Sequence, residues 1–220
     1  MMSKKIAFLL FPGFEMLDVY GPISVFSSHK LNAYYKCLTV SQNAGPVPSS
    51  RGIQTVTEYD FDSCPPVDLL MVPGGSGARQ EVDNSQLMDF MQRMVAPDAS
   101  KSGSAPPYLL TVCTGAAFAA RAGLLDGKKA TTNKGAWAWA TTQGKPGATA
   151  WQKQARWVED GTVWTSAGVT AGIDMSLAFI AKRNGEEAAK QVATYLEYTG
   201  DYRDPSNDTF CHVIDSPVSA

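Results

Sequence analysis

Cys113 stands where a cysteine can act as a nucleophile. The segment YLLTVCTGAAFAARAGLL, residues 108–125, carries a buried-strand pattern straight into the thiol and then into a helix of small residues. Strand, nucleophile, helix is the layout of a nucleophile elbow. The tight turn projects the side chain, and the amides that open the following helix favour thiolate. Gly115, Ala116 and Ala117 let that helix approach the sheet. The competing reading is a cysteine buried as a small hydrophobe. A second candidate is the pair Glu15 and Asp18 in FPGFEMLD, which share one face of a helix at this spacing. Either carboxylate can reach a strand end, although acids at a helix start also simply complement the dipole. The third is Val72-Pro73-Gly74-Gly75-Ser76-Gly77. It lacks the GK[ST] of a phosphate loop, and Gln80 occupies the next slot of a dinucleotide fingerprint. Glycine-rich backbone there can instead turn its amides towards a ligand as an oxyanion site.

Composition removes other chemistries. The 220 residues include only two histidines, His29 and His212, which leaves little room for a histidine metal site or a Ser-His-Asp or Cys-His-Asn triad. Cys37, Cys64, Cys113 and Cys211 are far apart with no CxxC, so neither a zinc clip nor a thioredoxin motif is encoded. Cys37, Cys64 and Cys211 are read as packing or surface residues. A net charge of −2 without basic clusters argues against nucleic acid or a membrane surface as partner. The apolar run Ile6–Phe11 is cut off by Pro12-Gly13, too early for a secretion signal, and no run is long enough to span a bilayer. The expected location is the cytoplasm.

The elements that must position these groups follow from periodicity. Nearly continuous apolar runs at Lys5–Phe11, Val67–Val72 and Tyr108–Val112 predict strands covered on both faces. Lys36–Ser41, Thr55–Tyr59 and Val163–Ser166 are further strands. Helical spacing predicts Met16–Ser28, with Gly21-Pro22 as the one candidate for a break, then Ser85–Val95, Gly115–Ala122, Thr170–Lys182 and Glu186–Tyr198. Loops are expected at residues 96–107 and 144–148. The alternation gives one α/β domain over residues 1–220, a mostly parallel sheet with helices on both faces. Ligands of such sheets bind beyond the carboxyl ends of the strands, where all three candidates fall.

Four segments together resemble the ThiJ/PfpI superfamily, whose fold is like that of class I glutamine amidotransferases. They are AFLLFPGFEMLDVYGP (7–22), DLLMVPGGSGAR (68–79), LLTVCTGAAFAARAGLLDGKKATTNK (109–134) and TSAGVTAGIDMSLAFIA (165–181). The resemblance implies a flavodoxin-like three-layer sandwich. Protease-like and many glyoxalase-like members carry histidine directly after the cysteine, whereas here Thr114 and Gly115 follow. Cys-Thr-Gly with an aspartate in the FPG…LD segment is similar to the isocyanide hydratase branch. That branch implies Cys113 as nucleophile, Asp18 as acid/base, a Gly75 amide donated at the site, and Thr114 positioning substrate or water. It implies no metal or organic cofactor, a small-molecule substrate, and a homodimer. The chain departs from the branch at Asn133, which replaces the histidine of an Ala-Thr-Thr-His segment. Trp137 and Trp139 beyond it are read as helix packing. A glutathione-independent glyoxalase and a redox-responsive protein remain alternatives. A C-terminal DNA-binding domain, found in some members, is not expected after the last helix.

Overall fold

The computed structural model describes residues 3–96 and 106–215. The loop expected at residues 96–107 therefore lies, from 97 to 105, outside the described residues. In chain order, β1 (Lys4–Leu9) leads through α1 (Met16–Phe26) to β2 (Tyr35–Val40). β3 (Gly45–Pro48) and β4 (Gln54–Thr57) pair as a separate antiparallel ribbon. β5 (Leu69–Val72), α2 (Ala78–Glu81), α3 (Ser85–Val95) and β6 (Tyr108–Thr111) follow. Then come α4 (Gly115–Arg121), β7 (Lys129–Ala130), α5 (Trp137–Ala140) and β8 (Ala150–Trp151). β9 (Trp157–Asp160), β10 (Val163–Ser166), α6 (Ala171–Asn184) and α7 (Glu186–Tyr195) complete the set.

The main sheet has the order β2-β1-β5-β6-β10-β9, with all pairs parallel except β10 with β9. The chain moves one way from β1 to β2 and the other way from β5 through β6 to β10. Right-handed crossovers then place helices on opposite faces. Accordingly α1, α6 and α7 pack together, and α2, α3 and α4 form a second group. β5 is buried along its whole length, as is β10, because both faces are covered. Phe11, just past β1, meets Phe118 of α4 edge-on at 4.9 Å between ring centroids. The order reverses between β1 and β5, and the loops leaving these two strands lie beside the elbow after β6.

Three features amend or add to what the periodicity predicts. α1 runs through Pro22 without a break. Proline removes one helical hydrogen bond there, but packing against α6 compensates. Gly21 makes that contact possible, since a Cβ on it would lie 2.9 Å from Ile173 Cγ1. The strand expected at 55–59 divides: β4 pairs with β3 outside the main sheet, while Tyr59 alone meets β2 in an isolated parallel bridge to Val40. β4 buries Thr55 and Thr57 while exposing Gln54 and Val56, the alternation of a strand covered on one face. Finally, half-buried β9 supplies an antiparallel edge that its polar sequence WVED did not announce.

Candidate functional site

Three strand ends converge on one point. Beyond β6 the chain turns sharply at Cys113, where φ is 57°. A non-glycine residue in the left-handed region costs on the order of 1 kcal/mol or more, so its surroundings must hold it. They do so from three directions. The Cys113 amide donates to Ala167 O at 2.9 Å, and its carbonyl accepts from Thr132 Oγ1 at 2.9 Å. Gly115 N closes the turn on Val112 O at 2.8 Å.

The side chain is 7% exposed. The amides of Thr114 and Val169 and the side chain of Asn133 lie close enough to the sulfur to favour its ionised form. The helix start was expected to favour thiolate, and here the structure differs. Burial pushes the thiol up to about 12, the Asp18 carboxyl adds to the rise, and the three donors do not offset it. The resting group is a protonated thiol.

Of the two carboxylates compatible with the sequence, Asp18 is the one beside the thiol. It is fully buried in the first turn of α1. Its Oδ2 accepts from the Gly74 amide at 2.8 Å. Among the described residues its Oδ1 has no nitrogen or oxygen partner, and the Cys113 thiol interacts with the carboxyl. Burial raises this group to about 7, against the Gly74 hydrogen bond and with a smaller contribution from Glu15. Glu15 itself caps α1, its Oε1 accepting from Leu17 N at 3.5 Å, while its amide donates to Gly74 O at 2.7 Å. Its backbone ties the β1 loop to the β5 loop.

The glycines of 73–77 serve that tie. A Cβ on Gly74 would fall 2.3 Å from Thr114 Oγ1 and 2.5 Å from Thr114 N. Gly74→Ala therefore forces the elbow to move. It is expected to lower stability by about 1–3 kcal/mol, read from urea unfolding, and to reduce thiol reactivity towards iodoacetamide differently from a remote variant of equal stability. The Gly75 amide, assigned to the ligand by resemblance, here donates to Thr114 Oγ1 at 3.1 Å. Accepting there leaves Thr114 its own hydroxyl proton for another acceptor.

Asn133 is locked in orientation. Its Oδ1 accepts from Ala136 N at 3.0 Å, and its Nδ2 lies where a Cβ on Gly168 would come within 2.7 Å. The amide nitrogen, a donor only, is thus the end that faces the sulfur. Gly172 is a close-packing position as well, with a Cβ there reaching both Val112 methyl groups at 2.9 Å.

A cavity of about 320 Å³ adjoins the elbow. Asn133, Ala167 and Val169, which neighbour Cys113, line this space, whereas Cys113 and Asp18 themselves do not. Its charged lining escaped the sequence reading. Lys134, 4% exposed, pairs with Asp208 at 3.0 Å and donates to Thr131 Oγ1 and Ala155 O, each at 2.9 Å. Arg156 pairs with Asp174 at 2.5 Å and reaches Thr170 Oγ1 at 2.8 Å. A lysine among apolar and small residues in TTNKGAW was the available signal, but its partner lies far along the chain. Burial lowers the lysine against the pull of Asp208. Lys134→Met leaves a buried carboxylate unpaired and is expected to destabilise by about 3 kcal/mol. Replacing both partners with apolar residues should restore most of the loss, and calorimetric unfolding of the single and double variants checks this.

The remaining residues hold other places. His29 meets Tyr195 edge-on at 4.5 Å, and His212 Nδ1 lies 2.9 Å from Thr209 O. Cys37, Cys64 and Cys211 are half-buried free thiols. Trp137 packs against Trp151, and Trp139 lies under Arg79. Among the described residues no three His, Cys, Asp or Glu side chains converge as a metal-ligand set, and no helix is long and apolar enough to cross a membrane.

Known proteins match this arrangement. The isonitrile hydratase of Pseudomonas putida is 35% identical over 200 residues, spanning 90% of this chain and 79% of that protein. The crystal structure of a ThiJ/PfpI family protein from Pseudomonas syringae superposes with a TM-score of 0.79 at 29% identity, covering 97% of this chain and 84% of the other. DJ-1beta of Drosophila melanogaster gives a TM-score of 0.74 at 21% identity over 90% of this chain and all of its own, a likeness of fold alone. The model of the DJ-1/PfpI family matches residues 4–182, from β1 through most of α6, and the chain belongs to that family.

Proposed function

We propose that this protein hydrates isocyanides to N-substituted formamides, with Cys113 as nucleophile and Asp18 as the single proton carrier. One observation carries the proposal. The fully buried Asp18 carboxyl, with its Oδ1 unpartnered by nitrogen or oxygen among the described residues, faces the Cys113 thiol, and with burial raising the two groups to about 7 and about 12 the pair holds a single proton between those values. Asp18 takes the thiol proton as sulfur attacks the terminal carbon of R–N≡C. It then gives that proton to the same carbon, leaving a thioimidate, R–N=CH–S. Water adds to this carbon, losing a proton to Asp18, which passes it to nitrogen. The resulting R–NH–CH(OH)–S collapses. The hydroxyl proton returns through Asp18 to sulfur, the C–S bond breaks, and R–NH–CHO leaves. One water is consumed and both groups are restored. The Asn133 amide supports the developing thiolate, in keeping with a donor-only residue at that place.

The relative from Pseudomonas putida carries the name isonitrile hydratase, a synonym of isocyanide hydratase, which favours this reaction over others in a family of varied function. The buried, protonated thiol weighs against a redox sensor, which needs an exposed thiolate. Assembly as a homodimer in the cytoplasm belongs to the same proposal, and sedimentation of the purified protein checks the dimer. Purified protein is to be assayed for formamide production from isocyanides and, in parallel, for methylglyoxal consumption. Formamide without methylglyoxal loss is the expected result. The reverse pattern assigns the carbonyl-directed activity and removes the hydratase.

A further inference from the structure

The cavity beside the elbow has an outer wall built by the last part of the chain. Asp208, Phe210 and Val213 line it, and all three lie beyond residue 182, where the match to the family model ends. This segment is firmly seated. The Tyr202 hydroxyl donates to Glu186 Oε1 at 3.0 Å, Arg156 N to Pro205 O at 2.7 Å, and Gln154 Nε2 to Asp208 O at 3.1 Å. The Lys134–Asp208 pair, almost fully buried, fixes it against the loop that carries Asn133.

The lining also states what the cavity takes. Both of its cations are compensated, Lys134 by Asp208 and Arg156 by Asp174, so among the described residues no unpaired charge there awaits an anion. Of the two neutral polar side chains, Asn133 accepts from Ala136 N and Thr170 from Arg156, and the rest of the lining is Ala167, Val169, Phe210, Val213, Gly135 and Gly168. About 320 Å³ is the lower end of the range for ligand pockets, room for a compact ring but not a peptide. We infer that residues 208–213 form the selectivity wall for the organic group of the substrate, and that this group is compact, uncharged and apolar. The inference rests on the hydratase reading. The linear R–N≡C unit would extend from that group past Asn133 towards the sulfur.

The test uses the full chain and two readouts. The first is calorimetric binding of N-cyclohexylformamide and N-methylformamide; the second is kcat/KM for the two matching isocyanides. The parent should favour the cyclohexyl compound at least about tenfold in both. Phe210→Ala opens the wall and Val213→Trp fills the space, and each should bring the ratio to within about threefold. Phe210 is 54% exposed, so its truncation leaves the fold in place, and circular dichroism verifies this for both variants. Val56→Ala, on the exposed ribbon, should keep the parent ratio. An unchanged ratio in both wall variants overturns the inference, as does equal binding of the anionic N-formylglycine. A wall-dependent binding ratio in a protein that makes no formamide sinks the hydratase and leaves the wall assigned. Formamide production with unaltered ratios does the opposite.

Discussion

Asp18→Asn is expected to cut turnover about a thousandfold while making the protein more stable at pH 8. The amide keeps the shape of the carboxyl and can still accept from Gly74 N, but it cannot carry a proton. The pH profile separates this from a packing effect. Turnover needs one proton shared by Cys113 and Asp18, a state present between about 7 and about 12. In the parent, kcat/KM should rise to a plateau as pH climbs through 7. In the variant the residual rate should lack that limb. Stability moves the other way. A buried carboxyl raised from 3.8 to about 7 makes the folded state hold more protons than the unfolded chain between those values. Stability therefore falls as pH rises across this window and stays low above it. The ionised group costs the fold as much as roughly 4 kcal/mol, a cost that the neutral amide of the variant avoids. Urea unfolding at pH 8 should show the gain, and near pH 4 the two proteins should converge. Parallel pH curves for both proteins would rule out Asp18 as the raised group.

Cys113→Ser should remove activity altogether, by about a million-fold. A hydroxyl is a far weaker acid than the thiol, so a carboxylate near 7 cannot mobilise it. An oxygen ester of the imidate would also release product poorly. The turn itself should survive. Serine can keep the amide bond to Ala167 O and the carbonyl bond from Thr132, so unfolding free energy should change by no more than about 1 kcal/mol. Formamide formation by the variant within about tenfold of the parent would end the covalent scheme.

Much of this was legible in the sequence for a physical reason. Strands buried on both faces must be apolar throughout, so β1, β5 and β6 stood out, and the topology of a parallel sheet then dictated where their loops meet. Position singled out Cys113 and left Glu15 and Asp18 open, and the resemblance chose between the two carboxylates. The state of the thiol was not legible, because burial and the facing carboxyl are tertiary facts that outweigh a local helix start. Nor was the cavity wall, since Lys134 and Asp208 belong together only after the tail folds back. The bond from the Gly75 amide was not legible either, for a smaller reason. The Thr114 hydroxyl that engages it comes from another strand end.

The close approach of the two loops also divides the site by its tolerance of change. A Cβ on Gly75 would meet Gly13 O at 2.2 Å, and one on Gly77 would meet Pro12 O at 1.9 Å. Neither backbone can yield without moving the other, so the machinery around the thiol admits almost no side-chain experiment. Phe210 and Val213 take part in none of these contacts and line the cavity instead. Divergence towards new substrates is thereby channelled to the periphery: the reaction can stay constant while its clientele drifts, one tail substitution at a time.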